Sequence, residues 1–167
     1  RSEAAIRLLE ARLDKVDWFR LTSNPVAISL IEKNLDKVHW PFLSANPFAI
    51  HLLETNPQKI YWRALSLNQA AIHLLEKNLH RVYWPFLSQN PAAIPLLEAN
   101  LDKVHWGCLS SNRAAIHMLA ANLDKVDWTR LSHNYDALPL LESNQDKVVW
   151  SELSFNRAIL CPPLDDF

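Results

Sequence analysis

The chain has 167 residues, a formal net charge of −1, 49% hydrophobic and 21% charged residues, enough to bury a sizeable core and too apolar to remain disordered. The charges are spread without acidic or basic blocks, which argues against a dedicated electrostatic grip on nucleic acid or an anionic membrane. Gly107 is the single glycine, so a Gly-rich phosphate loop and a Gly-X-Ser-X-Gly nucleophile elbow are both excluded.

The chain repeats itself. Trp18, Trp40, Trp62, Trp84, Trp106, Trp128 and Trp150 lie 22 residues apart, and Asn24, Asn46, Asn68, Asn90, Asn112, Asn134 and Asn156 keep the same interval. So do Asn34, Asn56, Asn78, Asn100, Asn122 and Asn144. Without insertion or deletion, this period predicts one repeat domain over 1–167, with about seven units over 2–155 and a closing cap over 156–167.

Within one unit, Asn24 reads as an N-cap with Pro25 at the first helical position, where its missing N–H costs nothing. Ala27, Ile28, Leu30 and Ile31 form an apolar arc at helical spacing. About nine helical residues then end at Asn34, predicted to take the left-handed conformation usually left to glycine. Next come a turn over Leu35–Val38 and, because Pro41 and Pro85 follow tryptophans directly, a very short helix or 3₁₀ turn from about Trp40 to Ser44. Val38, Trp40 and Leu43 are expected to point into the core, with the tryptophans as a buried ladder. The fold expected is an all-α solenoid of short helices. A leucine-rich-repeat-like βα solenoid, with Lys37–Trp40 as a strand, is the alternative.

The ends depart from the pattern. Ser2 and Arg12 stand where later units have asparagine. After Arg157-Ala-Ile-Leu, Cys161-Pro162-Pro163 ends an eighth helix, and Leu164 and Phe167 are expected to cover the last apolar face. Cys108 and Cys161 fall at unrelated repeat positions and suggest neither a disulfide framework nor a zinc site. The lack of a membrane-spanning run, of a signal peptide and of any Asn-X-Ser/Thr site points to an intracellular, cytoplasmic protein.

Function is sought where the repeat varies. The residue before each tryptophan runs Asp17, His39, Tyr61, Tyr83, His105, Asp127, Val149. Tyrosine and histidine offer apolar area with a hydrogen-bonding tip, so Asp17, His39, Tyr61, Tyr83, His105 and Asp127 are the candidate partner-binding residues. Phe42 and Phe86, two residues after their tryptophans, suit inter-repeat packing or a partner contact. A further column contains Arg7, Ser29, His51, His73, Pro95, His117 and Pro139. His51 and His73 each precede a glutamate by three residues, but nothing completes a metal site and the pairing is expected to be superficial.

Over 2–160 the pattern, clearest in Asn46–Glu54 and Asn90–Asn100, resembles short-repeat proteins of giant DNA viruses and some algae, a group without a settled function. The resemblance implies a repeat array with an interaction role. The chain is therefore expected to be a non-catalytic protein- or peptide-binding module without cofactor or metal, with self-association through the solenoid ends left open. The alternative is a single-stranded nucleic-acid binder stacking bases on His39, Tyr61, Tyr83 and His105.

Overall fold

A computed structural model describes residues 2–156. The fold is an all-helical, α-solenoid-like repeat built from short α-helices and 3₁₀ turns, with no strand among the described residues. The closing cap expected over 156–167 lies outside them except for Asn156. The chain divides into two compact units, Arg1–Tyr83 and Trp84–Phe167, which share one construction.

In the first unit, the Asn24 side chain accepts the Val26 N–H at 3.1 Å, as expected of an N-cap. The helix that follows has two parts, a 3₁₀ turn over Pro25–Ala27 and an α-helix over Ile28–Glu32. Asn46 and Asn68 start the same pair of segments, as do Asn90, Asn112 and Asn134 in the second unit. Ala27, Ala49 and Ala71 sit at the junction of the two parts and are wholly buried. Successive 3₁₀ turns touch one another there, so the smallest chiral side chain is what fits. The first helix, Ser2–Glu10, lacks the Asn-Pro start and is continuous α-helix.

The second asparagine of each unit stops the helix differently from the sequence expectation. Asn56, Asn78, Asn122 and Asn144 have φ of −130°, −138°, −140° and −137°, so they are not left-handed. Their side-chain amides instead donate to the carbonyl four residues back, at Leu52, Leu74, Met118 and Leu140. Asn34 and Asn100 do the same to Leu30 and Leu96. The side chain satisfies a carbonyl that the helix end leaves without a donor, and no backbone inversion is needed.

The residues just before each tryptophan are extended, as at Val82 (ψ 132°) and Tyr61 (ψ 90°). This dipeptide produces the alternation that a strand would show, but it joins no sheet. A helix of four to six residues then starts at each tryptophan, for example Trp40–Ala45 and Trp62–Leu65. Leu43 and Leu65 on these helices have no exposed surface. Neither have Ile31, Leu53 and Leu75 on the helices that follow the Asn-capped turns. Leu87, Leu97, Leu109, Leu119 and Leu131 occupy the equivalent places in the second unit.

The tryptophans are not this core. Trp18, Trp40, Trp62, Trp84, Trp106 and Trp128 are only half-buried, and Trp150 is 62% exposed. The leucine three residues on fills the interior, leaving the indole along its edge. There a cation from the following repeat covers it: Lys37 lies 5.5 Å from the Trp18 ring centroid and Arg81 5.3 Å from that of Trp62. Lys125 over Trp106 (4.7 Å) and Lys147 over Trp128 (5.4 Å) repeat the contact in the second unit. Such contacts contribute about 0.5–1 kcal/mol each where exposed.

A buried polar clamp fixes the register between repeats. The Asn46 amide donates to the Thr22 carbonyl and that of Asn68 to the Ser44 carbonyl, both at 3.0 Å. The Ser44 hydroxyl donates to the Trp40 carbonyl and accepts the Tyr61 N–H at 2.9 Å. In the second unit Asn112, Asn134 and Asn156 reach the carbonyls of Ser88, Ser110 and Ser132, whose hydroxyls accept the N–H of His105, Asp127 and Val149. These asparagines are between 0% and 5% exposed and the serines are wholly buried.

Asn68→Ala is expected to cost about 2–3 kcal/mol, since it removes a helix cap and strands a buried carbonyl. Asn68→Asp keeps the cap but sets a carboxylate against the Ser44 carbonyl. Burial and that contact favour the protonated acid, raising its folded-state pKa, so stability present at low pH is lost as pH rises through that pKa. Urea melts at pH 4 and pH 7 should show the aspartate variant recovering stability at the lower pH while the alanine variant keeps a nearly constant deficit. In the same assay Leu65→Ala should cost about 3–4 kcal/mol and Trp62→Ala only about 2 kcal/mol, because the indole is half out of the core.

Candidate functional site

Asp17, His39, Tyr61, His105, Asp127 and Val149 occupy the N-cap of the short helix that starts at the next tryptophan, and from His39 onward the backbone N–H of the residue before the tryptophan is spent on the clamp. Its side chain is the part left free to vary. In the first unit, Asp17 is exposed and its carboxylate accepts the Arg20 N–H at 3.1 Å, with the Arg20 guanidinium 3.4 Å away. The exposed His39 ring lies 5.1 Å from Phe19 and 4.7 Å from Phe42, and those two phenylalanines meet edge-to-face at 4.3 Å. Phe19 remains 56% exposed and Tyr61 47% exposed. Tyr83 is half-buried, with the Arg63 guanidinium 4.6 Å from its ring centroid.

In the second unit, the exposed His105 uses Nδ1 to accept the Cys108 N–H at 3.1 Å. Asp127, half-buried, accepts the Arg130 N–H at 3.1 Å and lies 3.4 Å from that guanidinium. Arg130 also reaches back to the Gly107 carbonyl at 3.3 Å. Val149 is half-buried. The column thus serves two ends: Asp17, His105 and Asp127 cap helices, whereas His39 and the tyrosines present ring surface. Capping is hidden in the sequence, because Tyr61 and His39 show no side-chain cap hydrogen bond at the same position.

Phe42 packs within its unit against Phe19 and His39 and is half-buried. The histidine column has partners that the sequence does not indicate. His51, His73 and His117 pair with Glu32, Glu54 and Glu98 of the preceding repeat, at 2.6, 2.9 and 2.9 Å, not with a glutamate three residues on. Both members of each pair are substantially exposed. Among the described residues no group of three or more His, Cys, Asp or Glu is placed to hold a metal, and no helix is long and apolar enough to cross a membrane.

Exposed pairs of this kind contribute about 0–1 kcal/mol, so His73→Ala should shift the melting midpoint only slightly. Tyr61→Ala should change stability by about 0.5 kcal/mol or less, and Tyr83→Ala by more, because it also uncovers Arg63. Thermal melts of the three single variants check the order.

Comparison with protein families, with curated proteins and with solved structures finds no match to this chain.

Proposed function

We propose that the chain is a non-catalytic module that binds a protein or peptide through the variable column before the tryptophans: Asp17, His39, Tyr61 and Tyr83 in the first unit, His105 and Asp127 in the second. The observation that carries this is the exposed aromatic surface of the first unit, where Phe19, His39 and Tyr61 are all exposed. Backbone hydrogen bonds from His39, Tyr61 and Tyr83 to Thr22, Ser44 and Ser66 pin the column. Aromatic and arginine side chains held on a rigid frame bind with little loss of conformational entropy and dominate interface energetics.

A non-catalytic role is supported by the way the imidazoles are used. The His–Glu pairs recur because the repeat recurs, as a packing contact does, and His39 lies between Phe19 and Phe42.

The test compares partner capture by the wild-type chain and by Phe19→Ala/Tyr61→Ala. The captured protein is then purified and titrated against both, after melts establish that both are folded. Binding should weaken by about tenfold or more in the variant. Equal affinities would remove the column from the interface. Capture of single-stranded nucleic acid instead, with affinity falling steeply as salt rises, would replace the protein partner by a base-stacking one.

A further inference from the structure

A different column departs from the repeat in one place. The residue opening the acid–base pair after the second asparagine is Asp14, Asp36, Gln58, His80, Asp102, Asp124 and Asp146, and the base that follows is Lys15, Lys37, Lys59, Arg81, Lys103, Lys125 and Lys147. In two of the five repeats that keep the acid it pairs with the base: Asp102 lies 3.0 Å from Lys103 and Asp14 3.9 Å from Lys15. The hydrogen bond from Lys103 holds the Asp102 carboxyl below its ordinary range. At Gln58-Lys59 and His80-Arg81 the acid is missing from two successive repeats. Lys77 adds a further cation where the next three repeats have Ala99, Ala121 and Ser143.

This departure coincides with a groove of about 530 Å³ in the first unit. Leu53, Ile60 and Leu74 give it aliphatic surface, Trp62 an indole, and Lys77, His80 and Arg81 positive or titratable groups. Arg81 lies 5.3 Å from the Trp62 centroid, and Lys59, Lys77 and Arg81 form no ion pair with a carboxylate among the described residues. The one carboxylate lining the groove, Glu54, is engaged by His73 at 2.9 Å. The net charge of −1 therefore conceals a local cationic patch over apolar surface.

We propose that this groove binds an acidic peptide segment, with an aliphatic or aromatic side chain against Leu74 and Trp62 and flanking carboxylates on Lys77, His80 and Arg81. Charge complementarity selects the acidic flanks, and the aliphatic lining selects an apolar side chain. A row of stacked bases needs successive open aromatic faces, whereas the single indole here already carries Arg81. Tyr61 does not line the groove, so the site is independent of the column before the tryptophans.

The test is calorimetric titration of the whole chain with a short synthetic peptide of glutamates and aspartates around one leucine and one phenylalanine. The decisive variant is Gln58→Asp/His80→Asp, which installs the residue that the other five repeats carry at this place. It should keep the wild-type melting curve and bind at least about tenfold more weakly, by the gain of repulsive negative charge beside Lys77 and Arg81. Tyr61→Ala should bind the peptide as the wild type does, which separates this site from the surface proposed above. Absence of binding to the wild type up to about 1 mM peptide, or equal affinity for the double aspartate variant, would overturn the proposal. So would tighter binding of oligodeoxythymidine than of the peptide, lost in the same variant.

Discussion

An amide taken out of water without partners costs about 1–3 kcal/mol in a protein, and each repeat junction described within a unit buries one. The cost is met because both ends of the asparagine are used. In Asn68 the oxygen accepts the Ala70 N–H and the nitrogen donates to the Ser44 carbonyl of the preceding repeat. Aspartate lacks the donor, serine is too short to span the gap, and glutamine is one methylene too long to cap and bridge together. The serine hydroxyl completes the junction by joining the Trp40 carbonyl to the Tyr61 N–H. Burial of leucine and alanine supplies most of the stabilisation, at about 25 cal/mol per Å², but apolar contacts are non-directional. The polar clamp makes 22 residues the period.

The division of labour explains where the surface can vary. At the position before each tryptophan from His39 onward the clamp uses the backbone N–H and leaves the side chain unspecified. Asp17, His39, Tyr61, Tyr83, His105, Asp127 and Val149 can therefore follow one another without moving the frame. A side chain held on a fixed backbone and free in chemistry is what a recognition surface requires. The same logic limits the histidine column. His51, His73 and His117 contact the preceding repeat's glutamate wherever both residues are present, so their pairing reports the period rather than a chemical role.

Local features are legible in the sequence, and contacts between repeats are not. Asn24 with Pro25 announces a helix start by residues adjacent in the chain, and the structure keeps it. Asn34 reads as a backbone inversion because the usual helix stop is glycine. A side-chain amide satisfying the carbonyl four residues back serves the same need without one. Trp62 reads as core from its size and strict spacing, but the adjacent Leu65 already fills the interior. The periodic base that covers the indole stands 19 residues further on, out of view of any single helix. The second role of Asn46 and Asn68, tying one repeat to the last across 24 residues, requires the repeats to be in place.

An internal repeat also acts as its own control. Seven copies of one frame show which side chains the frame demands, and a deviation at an exposed position is one that the frame tolerates. The loss of aspartate at Gln58 and His80 is such a deviation. The frame accepts aspartate at this place in five other repeats, and its removal leaves Lys59 and Arg81 without the acid that accompanies every other base of the column. Unoffset positive charge beside apolar surface repels its like and gains most from an anion that also has something to bury. Where such an exception falls beside a groove, as at Trp62 and Leu74, it favours a ligand of opposite charge that also has an apolar group to bury.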